Sequence, residues 1–274
     1  MTDVQIEALA EQAPIERFLR RSAAAQIYAL ADLDPAFWPN TRWFATHGSD
    51  GEIDAFCLVL EKLALPIVYA VAPPRDRATL DLVRALLPRL PQRFFVNFPY
   101  GCAGDFAPTH EITAHGEYLK MSLGDPAALA EFERSGIERL GPQHTAEVEK
   151  FFAEGAYRGD ESHGFFAPYM LELFPWFGIR ERGALVSLAG VHVFSQCFGV
   201  AAIGNVATAP SRRGRGLARA VVARLARELA ARVPLVGLNV AAKNVAAIRC
   251  YHALGFRAVM RYEEAVLTLR ENSP

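Results

Sequence analysis

The sequence predicts an α/β protein with a mixed sheet, built from two similar halves. Apolar strand-like segments are interspersed with amphipathic helical segments in both halves, which is typical of α/β folds. The order of elements also repeats: each half has helices, a run of strands, a strand–proline–helix unit and a further strand. Pro73 precedes Leu80 by the same number of residues as Pro210 precedes Leu217.

Composition indicates a soluble globular protein. The chain has 274 residues, 51% hydrophobic and 22% charged, with a formal net charge of -1. This length allows two hydrophobic cores, and the balanced charge argues against a dedicated nucleic-acid-binding protein. Residues 183–211 contain no Asp, Glu, Lys or Arg. Polar residues and glycines interrupt this apolar run, which favours buried strands over a membrane helix.

The sequence gives no sign of export. The N-terminal segment MTDVQIEALAEQAP is acidic and has no basic start followed by an apolar run, so it is not a signal peptide. Cys57, Cys102, Cys197 and Cys250 do not form a metal-binding or disulfide pattern. We therefore expect free thiols, a cytoplasmic location and no metal.

In the first half, helices are expected over 5–13, 15–31 and 76–90. Strands are expected over 41–47, 52–61, 66–72, 93–98 and 117–123. Residues 123–126 (LGDP) form a turn signal, which suggests domains at 1–124 and 125–274.

In the second half, strands are expected over 136–140, 176–180, 184–194, 200–208 and 234–240, with one or two more in 256–268. Helices are expected over 142–154, 217–231 and 244–254, and a short one within 163–174.

The stretch PSRRGRGLARA, residues 210–220, has the composition of an anion-binding loop before a helix. A helix N-terminus leaves backbone N–H groups unpaired and carries a partial positive charge. Gly214 and Gly216 let an anion approach these groups, and Arg212, Arg213 and Arg215 add charge. The corresponding stretch of the first half, PRDRAT, has no glycine and contains an aspartate.

This stretch admits two other interpretations. The helix repeats Leu217, Val221, Leu225 and Leu229 at every fourth position, so one face is core and the later arginines suit a solvated face. No aromatic residue lies between 212 and 233 to stack on bases, which disfavours nucleic-acid binding. A solvated helix face does not account for the arginines of the loop itself.

A second pattern lies downstream in LNVAAKNVAAIRCYHALGF, residues 238–256. Asn244 is a suitable N-cap for a helix that ends near Leu254, with Gly255 after it. Asn244, Ala247 and Tyr251 then lie on one stripe, with a small residue between two polar ones. Such a stripe can line a ligand slot, although Tyr251 also suits a half-buried core position.

These two patterns, in this order and at this spacing, resemble the GNAT superfamily of acyl-CoA-dependent N-acetyltransferases. The resemblance is strongest over about 176–262, and the first half resembles a degenerate copy without the phosphate loop. This tandem is similar to the arrangement of glycine N-acyltransferase-like members. It implies acetyl-CoA or another acyl-CoA as co-substrate, and a small-molecule amine as acceptor.

The resemblance also implies roles for matched positions. The loop from Arg213 to Ala218 would hold the coenzyme A pyrophosphate through its backbone, and Val206, Ala207 and Thr208 would pair with the pantetheine amides. Asn244 and Ala247 would flank the pantetheine arm, with Tyr251 beside the sulfur. The residues that the resemblance implies for cofactor binding are Val206, Ala207, Thr208, Arg213, Gly214, Arg215, Gly216, Leu217, Ala218, Asn244 and Ala247.

The chemistry requires a proton donor for the departing thiolate and an acceptor for the amine proton. The Tyr251 phenol, with a pKa near 10, suits the first task. Many members have a glutamate on the strand before the phosphate loop, but residues 199–208 contain no acid.

His192 is the best candidate base, and strand alternation places it on the same face as Val186, Leu188 and Phe194. A histidine satisfied within the core fits the pattern at least as well. Its rivals are Asp160, Glu161, Glu172 and Glu264, with His163 and Ser195 as weaker candidates. The acids within 157–172 could instead attract the amine, because the resemblance implies that this region overhangs the acceptor site.

The sequence thus predicts direct acyl transfer to a primary amine. The missing strand glutamate keeps a second hypothesis open, in which the protein binds acyl-CoA as a regulator or scaffold with vestigial catalysis. The sequence does not predict the acceptor, the acyl length or the oligomeric state.

Overall fold

A computed structural model describes residues 5–156 and 166–271 and confirms the mixed α/β fold class. The strands are β1 (Glu7–Leu9), β2 (Arg42–His47), β3 (Ile53–Leu60), β4 (Ile67–Tyr69), β5 (Arg93–Pro99), β6 (His110–Leu123), β7 (Ile137–Leu140), β8 (Trp176–Glu181), β9 (Ala184–Ser195), β10 (Val200–Thr208), β11 (Leu235–Ala241) and β12 (Phe256–Leu269). The α-helices are α1 (Gln12–Arg20), α2 (Ile27–Asp32), α3 (Arg77–Leu86), α4 (Thr145–Phe151), α5 (Tyr169–Leu173), α6 (Leu217–Ala230) and α7 (Val245–Ala253).

The chain divides into two compact units. The first unit contains residues 1–120, 241–243 and 259–274, and the second contains 121–240 and 244–258. The end of the chain belongs to the first unit, where β12 pairs antiparallel with β5. The assignment of functional domains to 1–124 and 125–274 stays a prediction.

In the first unit the strand order is β1-β2-β3-β4-β5-β12-β6. Strands β4 and β5 are parallel and are connected through α3, whereas β2, β3 and β4 form an antiparallel meander. One face of this sheet packs against α3, through Leu80, Leu82, Val83 and Leu86, in a continuous apolar core.

The second unit repeats this arrangement in the order β11-β10-β9-β8-β7. Strands β8, β9 and β10 form an antiparallel meander, and β10 is parallel to β11 through α6. The predicted stripe Leu217, Val221, Leu225 and Leu229 is buried where α6 packs on the sheet. The two similar halves inferred from the sequence are therefore confirmed as a repeated architecture.

The prediction was wrong at the N-terminus. Residues 5–13 were expected to be helical, but Glu7–Leu9 form an edge strand that pairs with β2, and the first helix begins only at Gln12. The long helix expected over 15–31 is divided into α1 and α2. Pairing with a neighbouring strand supplies hydrogen bonds that outweigh a weak local preference for helix.

No helix within residues 5–156 and 166–271 is both long and apolar enough to cross a membrane.

Candidate active site

The loop before α6 has a backbone that requires its two glycines. Gly214 and Gly216 both have φ of 75°, in the left-handed region that costs other residues about 1–2 kcal/mol. Gly216 is the N-cap residue of α6 and provides no side chain to cap it. A Cβ atom on Gly214 would meet no atom within 4 Å, so open space lies beside the loop.

The backbone of this loop presents hydrogen-bond donors. In the described part of the chain, the N–H groups of residues 214–216 donate to no backbone carbonyl. The first turn of α6 follows them, and its N–H groups lack partners within the helix by geometry. Loop and helix terminus together form an exposed array of donors at the positive end of α6, which is the geometry that binds phosphate.

The matching helix of the first unit has its N-terminus occupied. Asp76 is the N-cap of α3, and its carboxylate accepts a hydrogen bond of 2.9 Å from the N–H of Thr79. A carboxylate at this position provides the negative charge that a bound anion would otherwise supply. Only α6, of this pair of helices, therefore has an uncapped terminus.

The loop arginines contact the protein itself. Arg212 and Arg215 both form ion pairs with Glu181 at the end of β8, at N···O distances of 2.9 and 3.0 Å. Arg213 donates from Nε to the carbonyl oxygen of Thr208, at 3.2 Å. These contacts fix the loop against β8 and the end of β10. Glu181 carried no signal in the sequence, because it lies far along the chain from both arginines.

Strands β10 and β11 are paired over only part of their length. The parallel ladder joins Val200–Ile203 to Leu235–Leu238, whereas β10 continues to Thr208. The pairing of β10 with β9 shifts between Gly204 and Ala207, and Asn205 there has a positive φ of 52°. A bulge of this kind bends the strand, so the two parallel strands separate beyond Ile203.

The predicted pantetheine-binding residues lie along this separated part of β10. Ala207 faces β9, because its carbonyl accepts a 3.1 Å hydrogen bond from Oγ of Ser187 and Ala209 donates to Val186. Successive residues of a strand alternate, so the backbone of Val206 and Thr208 faces the opening beside β11. These two residues suit the predicted role better than Ala207 does.

His192 lies on β9 and its ring lies flat across β10. A Cβ atom on Gly204 would fall 2.2 Å from Cδ2 of His192, so only glycine leaves room for the ring. Burial lowers the pKa of His192, and a hydrogen bond with the side chain of Asn205 acts in the opposite direction. The ring is therefore neutral at pH 7 and able to accept a proton.

One prediction about His192 was wrong. Simple alternation placed it on the same face of β9 as Val186, Leu188 and Phe194. The register of β9 with β10 shifts at His192, since Ala202 faces Val193 and Ile203 faces Val191. Phe194 is therefore on the face of α6, where Arg232 lies 4.4 Å from its ring centroid. The extra residue of a bulge reverses the alternation beyond it.

Aromatic rings cover the face of the sheet that carries His192. The fully buried ring of Trp176 lies over Gly190, where a Cβ atom would fall 2.2 Å from Cε2. Phe166 packs edge-on against Trp176 with centroids 5.3 Å apart, and Phe152 lies 5.7 Å from Phe166. Gly190 and Gly204 face each other on β9 and β10, so neighbouring glycines accommodate the two flat rings.

The second pattern forms the predicted helix. Asn244 caps α7, since its Oδ1 accepts a 3.1 Å hydrogen bond from the N–H of Ala247, and Gly255 follows with φ of 88°. Tyr251 is 7% exposed and packs edge-on against Phe256, with centroids 6.1 Å apart. Helix α7 contacts α6, so the helix that carries Tyr251 lies beside the helix that follows the glycine loop.

Three of the other candidate bases lie in the described part of the chain. Glu172 is exposed on α5, and Oγ of Ser195 accepts a hydrogen bond from the N–H of Phe198. Glu264 belongs to the first unit, where it accepts a 2.6 Å hydrogen bond from the hydroxyl of Tyr262. Three further candidates, Asp160, Glu161 and His163, lie outside the described residues.

Comparisons with known proteins give the following matches. Residues 176–265 match the family model described as FR47-like protein. A GNAT-family protein from Novosphingobium aromaticivorans is 22% identical with a TM-score of 0.58, and the alignment covers 94% of this chain and 99% of that one. A GCN5-related N-acetyltransferase from Kribbella flavida is 16% identical, with a TM-score of 0.55 and coverage of 92% and 95%. A Drosophila protein is 14% identical, with a TM-score of 0.68 and coverage of 98% and 99%. A search of the curated proteins finds no match.

Proposed function

We propose that this chain is a GNAT-type enzyme that transfers an acetyl group from acetyl-CoA directly to a primary amine. The observation that carries the proposal is the uncapped N-terminus of α6, where two left-handed glycines expose a row of backbone donors. Its counterpart in the first unit is closed by Asp76, which supports a single acyl-CoA site, in the second unit.

The residues of the second unit fit acetyl-CoA from the pyrophosphate to the thioester. Residues 213–218 would hold the pyrophosphate with backbone N–H groups. The backbone of Val206 and Thr208 would pair with the pantetheine amides in the opening between β10 and β11. Asn244 and Ala247, in the first turn of α7, would lie along the pantetheine arm.

The chemistry then requires two proton movements. The amine nitrogen forms a bond to the acyl carbon while the carbon–sulfur bond breaks, so the nitrogen loses a proton and the sulfur gains one. Neutral His192 would accept the amine proton, directly or through water, and Tyr251 would donate to the sulfur. Backbone N–H groups at the separated end of β10 would stabilise negative charge on the carbonyl oxygen.

The test combines calorimetry with an assay for free thiol. The native chain should bind acetyl-CoA, and Gly216→Glu should abolish binding because a carboxylate and a Cβ would enter the donor array. Gly104→Glu is the matched control, since Gly104 is exposed in the first unit and a Cβ atom there would meet no atom within 4 Å. Normal binding by Gly216→Glu would refute the site.

A second function retains support from two observations. Strand β10 carries no carboxylate, and burial makes His192 a weaker base than a free histidine. A protein that binds acyl-CoA as a regulator or scaffold would have the same phosphate loop. Binding of acetyl-CoA without thiol release, across a panel of amines, would favour this alternative over catalysis.

A further inference from the structure

The direction from which the acceptor arrives follows from the packing of α6, if the proposed function holds. Helix α6 covers one face of β8, β9 and β10, as the position of Arg224 over the Phe177 ring shows. A thioester in the opening between β10 and β11 is therefore accessible to an amine from the other face. His192 and Trp176 lie on that other face, over Gly204 and Gly190.

The described side chains over this face include a chain of aromatic rings. Trp176, Phe166 and Phe152 form a chain of ring contacts with centroid distances of 5.3 and 5.7 Å. Trp176 is fully buried, whereas Phe152 and Phe166 are half-buried and so remain accessible to a ligand. The residues at 152–156 also contact β10, so this aromatic layer extends towards the strand that would hold the thioester.

The buried polar side chains that the structure describes in the second unit are uncharged. Among its described residues, the buried polar side chains are Ser122, Ser187, Ser195 and Asn205, without a buried aspartate, glutamate, lysine or arginine. The indole N–H of Trp176 is also buried and has no hydrogen-bond partner in the described part of the chain. A dicationic amine would gain no ion pair from these buried side chains, and burying its charges against them would cost hydration.

We propose that the acceptor is a primary amine carried on an aromatic group, whose ring packs against Phe152 and Phe166 on the face of the sheet that carries His192. Edge-to-face contacts between rings favour such a ligand beyond the apolar area that it buries. The amine group, the polar end of an otherwise apolar acceptor, would then lie on the side of the neutral His192 imidazole.

The test compares benzylamine with ethanolamine as acceptors, with acetyl-CoA as donor and free thiol as the readout. Both are primary monoamines, so the comparison isolates the aromatic group. We expect kcat/KM for benzylamine to exceed that for ethanolamine by at least about tenfold, the scale at which apolar pockets discriminate. Putrescine, a dication, serves as a third probe and should be as poor as ethanolamine.

Two phenylalanine variants connect this preference to the aromatic layer. Phe152→Leu should reduce the benzylamine-to-ethanolamine ratio about fivefold, because a ring contact is lost while apolar volume is largely kept. Phe194→Leu is the control, since Phe194 lies on the α6 face of the same sheet and should leave the ratio unchanged.

The outcomes separate this inference from the proposed function. Thiol release with ethanolamine or putrescine at least as fast as with benzylamine would overturn the aromatic acceptor and leave acyl transfer intact. An equal change of the ratio in Phe152→Leu and Phe194→Leu would also overturn it. Thiol release with none of the three amines, despite bound acetyl-CoA, would count against acyl transfer and the inference together.

Discussion

Replacing Gly204 with alanine tests whether the position of His192 governs turnover. A Cβ atom on Gly204 would lie 2.2 Å from Cδ2 of His192 and 2.3 Å from Cγ and Nε2. Non-bonded carbon atoms prefer separations of about 3.5–4.0 Å, so the ring must move by more than about 1 Å. A misplacement of this size can cost about a hundredfold in rate. We therefore expect kcat/KM for the amine to fall by about a hundredfold.

The same substitution should leave acetyl-CoA binding nearly unchanged, because the proposed pyrophosphate site lies at the start of α6. The dissociation constant from calorimetry, measured beside the steady-state thiol assay, separates the two effects. Overpacking is expected to cost about 1–3 kcal/mol of stability, so a thermal unfolding curve must show a folded protein at the assay temperature. Gly104→Ala, at an exposed position with free space, is the matched control and should change neither rate nor binding.

A double-mutant cycle with His192→Ala decides whether the loss acts through the imidazole. If it does, adding Gly204→Ala to His192→Ala should cost little more, because the ring that was displaced is absent. An undiminished hundredfold loss in the His192→Ala background would show that the methyl group acts through the strand itself. The role assigned to His192 would then be refuted.

Three further predictions follow from single side chains. Tyr251→Phe should lower kcat more than it weakens acetyl-CoA binding, since only the proton donor is removed, and unchanged kcat in the thiol assay would exclude the acid role. Glu181→Gln should tighten acetyl-CoA binding by about two- to fivefold in calorimetry, because the Glu181 carboxylate pairs with Arg212 and Arg215 and repels a bound pyrophosphate. Weaker binding would mean that Glu181 mainly orients the two arginines. In the first unit, burial raises the pKa of Glu264 to about 7 and lowers that of Lys120 to about 7. Lys120→Met should therefore be more destabilising at about pH 8 than at about pH 5. Without the lysine, the pKa of Glu264 rises further and its ionisation at about pH 8 costs more stability, whereas at about pH 5 the substitution removes a buried cation opposite a neutral carboxyl group. Equal urea midpoint shifts at both pH values would contradict this coupling.

The sequence predicted most of the second unit because its local signals agree with its packing. The every-fourth-residue apolar repeat of α6 is buried as expected, and Asn244 caps α7. Glycines at 214 and 216 were expected to bring the backbone close to an anion, and both have the left-handed φ that glycine permits. Each of these properties depends on residues within a few positions of one another.

The N-terminal helices were predicted less well because a tertiary contact decided them. Residues 7–9 form a strand only because β2 provides an edge to pair with. Nothing within MTDVQIEALAEQAP specifies that partner, which is more than thirty residues further along the chain. Strand preference depends on context more than helix preference does, so such short edge strands escape local analysis.

By itself, the sequence determined the repeated strand–helix order and the uncapped start of α6, and it provided Tyr251 and His192 as candidates for moving protons. Only the tertiary structure decided that Glu181 pairs with the loop arginines and that a bulge separates Phe194 from the face of His192. It also decided that facing glycines seat the rings of Trp176 and His192. The physical reason is distance along the chain: caps and glycine turns depend on neighbouring residues, whereas register, bulges and ring packing depend on which strands meet.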